Sequence, residues 1–431
     1  MKKMKQLKLL ILAGAEVHAK IVREAKKLGI YTIVTDYLPL AKSPAKQIAD
    51  EAWDIDIFDT AAIVEKARAA GVNGVLNYCI DPAQLPYYEI CKALKLPCYG
   101  TKEQFAIMTD KQKFKEFARH NGIDVVPEYS LAELQENPAL FPVIIKPISS
   151  RGSRGQKIIN SYAELKAALS LVNSEVIIEK YIANGWDFSF AGLASGGKVH
   201  IVKTGDRYLG LKKDHLERQQ IATVIPSLFT DWYRENIVHK VENFARALGL
   251  NFAPLFLQGI ISGGRLYFYD PGLRFPGTDY DLALQRATGC DPMRSFINFA
   301  LTGEQKLYGD YQRSYNYGGK LCLIYSIAAR KGEIAVIKGL DKIAADHRIL
   351  AIDQRYDAGE LVPASGDIRQ RILEFTVLVD DMAAAKDLTE FVNNNLVVLD
   401  EQGQDMLVSR LGREVLLIED REKCLKKFTS K

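Results

Sequence analysis

Paired cysteines, a surplus of one charge and a long apolar run are all missing from this sequence. Its six cysteines never form a C-x-x-C pair, and no cysteine and histidine cluster has the spacing of a zinc site. We therefore expect a reduced, cytoplasmic setting. No segment approaches the ~20 consecutive apolar residues needed to span a bilayer, so we expect no membrane partner.

The charge balance excludes another class of function. With 57 basic and 53 acidic side chains, the net charge of +4 is too small for the field that holds nucleic acid, so we expect no nucleic-acid partner. The six histidines have no recognisable nucleophile partner, which argues against a catalytic triad. The apolar run 9–13 follows four lysines but is too short for a signal peptide, and we interpret it as a first buried strand.

Residues 7–100 alternate strand and helix, a pattern typical of a parallel sheet covered by helices. Asp36 lies about 20 residues beyond the first turn, as the ribose-binding carboxylate of a dinucleotide fold would. That turn has one glycine, Gly14, where the fingerprint has three, so the pattern disfavours NAD. We interpret Asp36 as a polar strand end or a minor substrate contact.

Further along the chain, helical periodicity predicts one helix from Thr101 to about Asn121 and one from Asp231 to Leu248. Ser262-Gly263-Gly264-Arg265 predicts a β-hairpin. Short alternating apolar runs indicate a mostly antiparallel unit beyond residue 317. We predict an α/β protein with domains at 1–100, 101–317 (with a small lobe at about 125–190) and 318–431.

The segment 141–155 is the most informative part of the sequence. An apolar strand delivers Lys146 and breaks at Pro147 into a serine- and glycine-rich loop, in which backbone amides can turn outward. A fixed cation and several N–H donors are what a polyphosphate requires. A basic hairpin loop is the alternative interpretation. The predicted phosphate-binding loop residues are Ser149, Ser150, Gly152, Ser153 and Gly155.

This motif is one of four features that occur in order along the chain. The others are a lysine on a helix, the strand 176–182 and an acidic hairpin followed by Arg274. As a set, they resemble the ATP-grasp superfamily of carboxylate-amine ligases. The resemblance is to its branch of biotin carboxylases and carbamoyl phosphate synthase large subunits, and it covers essentially the whole chain. It implies a Rossmann-like pre-ATP-grasp domain, a central two-lobed α+β ATP-binding region and a smaller C-terminal antiparallel lid-like domain.

The resemblance also implies roles for individual residues. Lys111 and Lys146 would contact the ATP phosphates, while the loop 149–155 closes over them. Asp187 stands where family members usually carry a glutamate that binds the ribose. Without the resemblance, Lys111 reads equally well as a solvated helix residue. The adenine would lie along Glu179, Lys180, Tyr181 and Ile182.

The metal site implied by the resemblance is Gln258 and Asp270, with Gly272 where the family has an asparagine. One aspartate and one amide oxygen suit a single Mg²⁺ on ATP, with Mn²⁺ as an alternative ion. A two-residue Gly-Gly turn would put Gln258 and Asp270 on opposite faces of the hairpin, so we expect a bulge or a three-residue loop. Asp279 and Asp281 are alternative ligands, or they only compensate a helix dipole.

The implied activity is an ADP-forming ligase that joins a carboxylate to an amine, or to a thiol, through an acyl phosphate. Lys146 and Arg274 would be catalytic, with Arg274 gripping the substrate carboxylate or its phosphorylated product. For Arg274 the alternative is a surface salt bridge. We expect small-molecule carboxylate and amine substrates and a homodimer.

A second hypothesis is an ATP-binding sensor or assembly subunit with weakened catalysis, because Asp270 and Gly272 depart from the family pattern. Carboxylation of biotin and synthesis of carbamoyl phosphate are less favoured. Carbamoyl phosphate synthesis in the related large subunits uses two fused ATP-grasp halves, and this chain has the length of one.

Overall fold

The computed structural model describes residues 6–147, 156–171, 175–183, 185–210, 219–366, 368–408, 410–411 and 421–430. The predicted phosphate loop residues Ser149, Ser150, Gly152, Ser153 and Gly155 lie outside these ranges. None of the described helices has the length and apolar character that crossing a bilayer requires.

The first region contains a parallel sheet of four strands in the order β3-β2-β1-β4, as the alternation of strand and helix predicts. Asp36 ends the second strand, and its carboxylate accepts hydrogen bonds from the amides of Gly14 (2.7 Å) and Leu38 (2.7 Å). It is therefore a polar strand end that fixes the first turn. The elements are β1 Lys8–Leu12, α1 Glu16–Lys27, β2 Tyr31–Thr35, α2 Pro44–Ile48, β3 Glu51–Trp53, α3 Thr60–Ala70, β4 Gly74–Leu76 and α4 Gln84–Leu94.

A small antiparallel sheet of three strands, in the order β6-β5-β7, follows with its own apolar core. The single helix predicted over 101–121 is wrong. Two helices form, because the Asp110 carboxylate accepts the amides of Gln112 and Lys113 and so starts a new helix at Lys111. The elements are α5 Lys102–Thr109, α6 Lys111–His120, α7 Leu131–Glu136, β5 Val143–Pro147, β6 Lys157–Ile159, α8 Tyr162–Leu169 and β7 Val176–Lys180.

The described central part of the chain forms five strands and four helices. The single helix predicted over 231–248 is also wrong, because the chain breaks at Ile237 (φ −121°, ψ −38°) between two shorter helices. The elements are β8 Trp186–Ser195, β9 Lys198–Leu209, β10 Gln220–Ile225, α9 Thr230–Asn236, α10 Val238–Ala247, β11 Phe252–Ser262, β12 Arg265–Gly272, α11 Tyr280–Thr288 and α12 Pro292–Thr302.

The last region is mostly antiparallel, as predicted. Its elements are β13 Leu321–Ala329, β14 Gly332–Glu333, β15 Val336–Lys338, α13 Leu340–Ala344, β16 Ile349–Gln354, β17 Leu361–Val362, β18 Arg371–Val379, α14 Met382–Asn395, β19 Val397–Leu399, β20 Leu407–Val408 and α15 Arg421–Thr429.

One antiparallel sheet runs from the central part of the chain into this last region. Its strand order is β12-β11-β8-β9-β10-β13-β18-β16, and β20 pairs with β13. The pairing of β10 with β13 carries the sheet across residue 317, where a domain boundary was predicted. The two faces of this sheet belong to two apolar cores, one shared with the parallel sheet and one covered by α14.

Candidate functional site

A cleft of about 790 Å³ lies where the parallel sheet, the small sheet and the large sheet meet. Every predicted site residue that falls within the described ranges lines it. These residues are Lys111, Lys146, Glu179, Lys180, Tyr181, Ile182, Asp187, Gln258, Asp270 and Arg274. Side chains from four separate stretches of the sequence therefore converge on one cavity.

Lys146 points from β5 toward β7, where its Nζ lies 2.5 Å from Oε2 of Glu179. The other oxygen of this fully buried carboxylate binds Lys115 of α6 at 2.6 Å. Burial opposes ionisation of Glu179, but the two ammonium groups together hold the pKa of its carboxyl below its ordinary value. Lys115 also contacts Glu128 at 2.7 Å, so this end of the cleft is a network of fixed charges.

Lys115 is a residue that the sequence analysis missed. It follows Lys111 by four positions on α6, the spacing that places two side chains on one helix face. That spacing could have indicated that Lys115 lies on the same side of α6 as Lys111. In the structure Lys111 lines the cleft and Lys115 is fully buried behind it. Its partner Glu179 was expected to lie along the adenine, and its side chain binds both Lys115 and Lys146.

Lys111, Gln258 and Asp270 meet at the edge of the large sheet. Lys111 is the first residue of α6, and its Nζ lies 3.8 Å from Oδ1 of Asp270. Gln258 pairs directly with Asp270 across the hairpin, because the register shifts between Gln258 and Gly259. The expected bulge is confirmed, and it puts the two oxygen-bearing side chains on one face.

This donor set fits one magnesium ion bound together with a nucleotide. A carboxylate and an amide oxygen are hard ligands, and phosphate oxygens with water complete such a shell. Burial raises the pKa of Asp270, while Lys111 opposes that shift. Within the described ranges no three histidine, cysteine or acidic side chains converge in a way that could hold an ion by themselves.

Asp187 lies deeper in the cleft, at the start of β8, and is already ion-paired. Its Oδ1 is 2.6 Å from Nη1 of Arg207, which also donates to the Tyr269 hydroxyl at 2.7 Å. Burial raises the pKa of Asp187, and the guanidinium opposes this. Neither Arg207 nor Tyr269 was predicted. A ribose at this point would meet an aspartate that Arg207 holds in place.

Arg274 follows β12 and faces Asp81 of the parallel-sheet region. Its Nε donates to Oδ1 of Asp81 at 2.6 Å, and its Nη1 donates to the carbonyl of Phe275 at 3.0 Å. Among the described residues, Nη2 has no acceptor. Arg274 therefore forms a salt bridge, as the alternative interpretation had it, but within the cleft and with its Nη2 nitrogen left over.

Asp279 and Asp281, the alternative metal ligands, bind a lysine instead. Lys20 of α1 lies 3.0 Å from Asp279 and 2.6 Å from Asp281, and the Tyr78 hydroxyl contacts Asp281 at 3.2 Å. These contacts connect the parallel-sheet region to the start of α11. Neither aspartate is among the residues that line the cleft, and the hypothesis that this acidic pair replaces the missing ligand at Gly272 stays a prediction.

Comparisons with known proteins agree with this architecture. No protein-family model matches the chain. The small subunit of 2-oxoglutarate carboxylase from Hydrogenobacter thermophilus is 23% identical over 352 residues, which cover 75% of this chain and 73% of that protein.

Two solved structures superpose on nearly the whole chain. L-amino acid ligase from Bacillus licheniformis gives a TM-score of 0.74 at 17% identity and covers 93% of this chain and 100% of its own. The biotin carboxylase domain dimer of the Hydrogenobacter thermophilus 2-oxoglutarate carboxylase, in complex with MgADP, ADP and bicarbonate, gives 0.74 at 19% identity, covering 99% of this chain and 97% of its own. At these identities the similarity establishes the fold, and the predicted fold class is confirmed.

Proposed function

The chain has the ATP-grasp fold, and we propose that it is an ATP-dependent, ADP-forming ligase that joins a carboxylate to an amine through an acyl phosphate. The observation that carries this proposal is the convergence of Lys111, Lys146, Asp270 and Gln258 on one cleft. Its relatives carry names such as biotin carboxylase and L-amino acid ligase, which fits ligase chemistry.

Each group in the cleft has a role in this proposal. Lys111 and Lys146 bind the phosphates of ATP, and Asp270 and Gln258 hold magnesium against them. When bound, the ion neutralises charge on the phosphate oxygens. Asp187 binds the ribose, and the adenine lies along the four residues that end β7 and follow it, Glu179, Lys180, Tyr181 and Ile182.

The reaction needs positioning and charge neutralisation more than covalent help from the protein. A carboxylate oxygen attacks the γ-phosphorus, the bond to the β-phosphate oxygen breaks, and ADP leaves. The amine then attacks the acyl carbon, loses a proton and displaces phosphate. Arg274, just beyond β12 of the large sheet, keeps Nη2 without an acceptor among the described residues, which suits a carboxylate or its phosphorylated product.

A binding protein with little catalysis is the second candidate function. It is favoured by Gly272, which offers no side-chain ligand where the family pattern has one. We also propose a homodimer, because the related biotin carboxylase domain was solved as a dimer.

The proposal is tested by release of ADP and phosphate from Mg-ATP in the presence of mixed carboxylates and amines. We expect Lys146→Met to lower the rate by about 10²–10³-fold, as loss of one preorganised charge at a transition state does. Lys157→Met is the matched control, because Lys157 is an exposed lysine on the neighbouring strand β6.

The two candidate functions give different outcomes in the same experiment. Mg-ATP at about 100 times its dissociation constant should stabilise the protein by about 2.7 kcal/mol in either case. Stabilisation without turnover in any substrate mixture would support the binding protein. If the thermal unfolding midpoint did not respond to Mg-ATP at all, both candidates would be wrong.

A further inference from the structure

Lys203 is a buried lysine in the middle of β9 that lines the cleft and is 4% exposed. Five lysines are buried among the described residues, and four of them bind a carboxylate. Lys203 differs from them. Within the described part of the chain, its ammonium donates no hydrogen bond and has no carboxylate at ion-pair distance, and its Nζ lies 5.5 Å from the centre of the Tyr280 ring.

The charges around Lys203 are already matched to one another. Arg207 on the same strand binds Asp187 at 2.6 Å, and Arg371 of β18 binds Glu374 at 2.5 Å. Asp187 and Glu374 thus each have an arginine partner, whereas Lys203 has no carboxylate partner among the described residues. An unpaired buried ammonium is costly, so a structural role alone gives no reason to keep it.

A second polar group in the lining of the cleft also lacks a partner within the described ranges. Thr278 also lines the cleft, two residues before Tyr280. Its buried hydroxyl has no hydrogen-bond partner among the described residues.

Lys203 lies near the nucleotide end of the cleft. It is four residues from Arg207 on β9, a spacing that puts both side chains on the same face of the strand. Arg207 in turn contacts Asp187, the residue assigned to the ribose. A ligand at Lys203 therefore shares one cleft with the phosphates at Lys111 and Lys146.

We infer that Lys203 binds the anionic group of the carboxylate substrate, which is the second substrate beside ATP. The Thr278 hydroxyl is an additional donor. This inference rests on the proposed function, because it places that substrate in the same cleft as the nucleotide. Two sources of a carboxylate suit the position, bicarbonate and an organic acid. Acetate, L-alanine and bicarbonate are therefore the probes.

The test compares the thermal unfolding midpoints of wild type and Lys203→Met with Mg-ADP and one probe at a time. The probes are sodium acetate, sodium bicarbonate and L-alanine, and the reference is sodium chloride at matched ionic strength. We expect at least one probe to stabilise the wild type and its binding to weaken about 10- to 100-fold in Lys203→Met. Stabilisation by Mg-ADP alone should be equal in both. Lys198→Met, an exposed lysine at the start of β9, is the control.

The outcomes separate this inference from the proposed function. If Lys203→Met responds to the probes as the wild type does, or if no probe stabilises the wild type beyond chloride, the inference is wrong. If the unfolding midpoint of the wild type does not change with Mg-ADP, the proposed function is contradicted instead. Stabilisation by bicarbonate alone identifies that ion as the source, and stabilisation by acetate or L-alanine identifies an organic acid.

The pH dependence of acetate binding to the wild type tests the inference without a variant. Burial, with Arg207 beside it, lowers the pKa of Lys203 to about 8, while Cys322 of β13 and Glu374 of β18 oppose the shift. The other group packed against Lys203 is Tyr280 of α11. Acetate binding should weaken about tenfold per pH unit above that pKa, because only the ammonium attracts the anion. Binding that is constant across this range would contradict the inference.

Discussion

At the scale of single residues, the cleft is a set of ion pairs between segments that are distant in the sequence. Glu179 lies 64 positions from Lys115 and 33 from Lys146. The strand and glycine-rich loop around Lys146 form a local pattern, so this lysine could be predicted. The pairing of Glu179 with these two lysines has no local pattern, because the alignment of β5 with β7 and the contact of α6 with β7 bring the three side chains together.

His18 gives a prediction at this scale. It is fully buried on α1, where burial, with Lys20 nearby, lowers its pKa from 6.5 to about 4. Between these pH values the unfolded chain binds a proton that the folded chain does not, so stability falls as the pH drops from 6.5 to 4. A shift of this size corresponds to about 3 kcal/mol.

The measurement is the thermal unfolding midpoint across this pH range for His18→Gln and for wild type. We expect the variant to be less stable at pH 6.5 but to lose less on acidification. His120→Gln, at an exposed position, should follow the wild type. Parallel pH profiles for His18→Gln and wild type would mean that His18 is not the group responsible.

At the scale of elements, the break between α5 and α6 at Asp110 positions the side chain of Lys111 in the cleft. The apolar period continues through this point, so the sequence pattern predicted one helix. Asp110 is an aspartate followed by good helix formers, a pattern that also marks a helix start. The two patterns conflict locally, and in the folded protein the chain breaks at Asp110, with α5 and α6 both packed against β12 and α5 also packed against α4.

Asp110→Ala tests this role of the helix start. Loss of the cap should cost about 1 kcal/mol of stability and let the first turn of α6 fray, which displaces Lys111. We expect a several-fold increase in the dissociation constant for Mg-ATP, measured by calorimetry. Ser130→Ala removes the cap of α7, which lies outside the cleft lining, and should reduce stability without changing nucleotide binding. Equal nucleotide affinities in all three proteins would contradict the role of Asp110.

The hairpin of β11 and β12 was predicted more completely than either helix pair. Its turn residues Gly263 and Gly264 have φ of +55° and +70°, values that glycine adopts without strain. The turn geometry then required a bulge if Gln258 and Asp270 were to share a face. The turn residues therefore determine the geometry of this hairpin, which explains why its bulge could be deduced from the sequence.

At the scale of the whole molecule, local periodicity predicted the parallel sheet but not the extent of the large sheet. The pairing of β10 with β13 joins residues about a hundred positions apart, with α9–α12 between them. No repeat or turn signal encodes such a contact. The domain boundaries at 100 and 317 stay predictions, although Lys20 of α1 already contacts Asp281 beyond the first of them.

The continuity of this sheet has a consequence for anyone who wishes to produce the nucleotide-binding part alone. A fragment ending at residue 317 would leave the amides and carbonyls of β10 without their β13 partners, next to apolar side chains such as Ile221 and Val224. An open strand of this kind is a template for self-association. We expect light scattering to show oligomers for that fragment but uniform particles for the full chain. A fragment as uniform as the full chain would mean that β10 tolerates exposure to solvent.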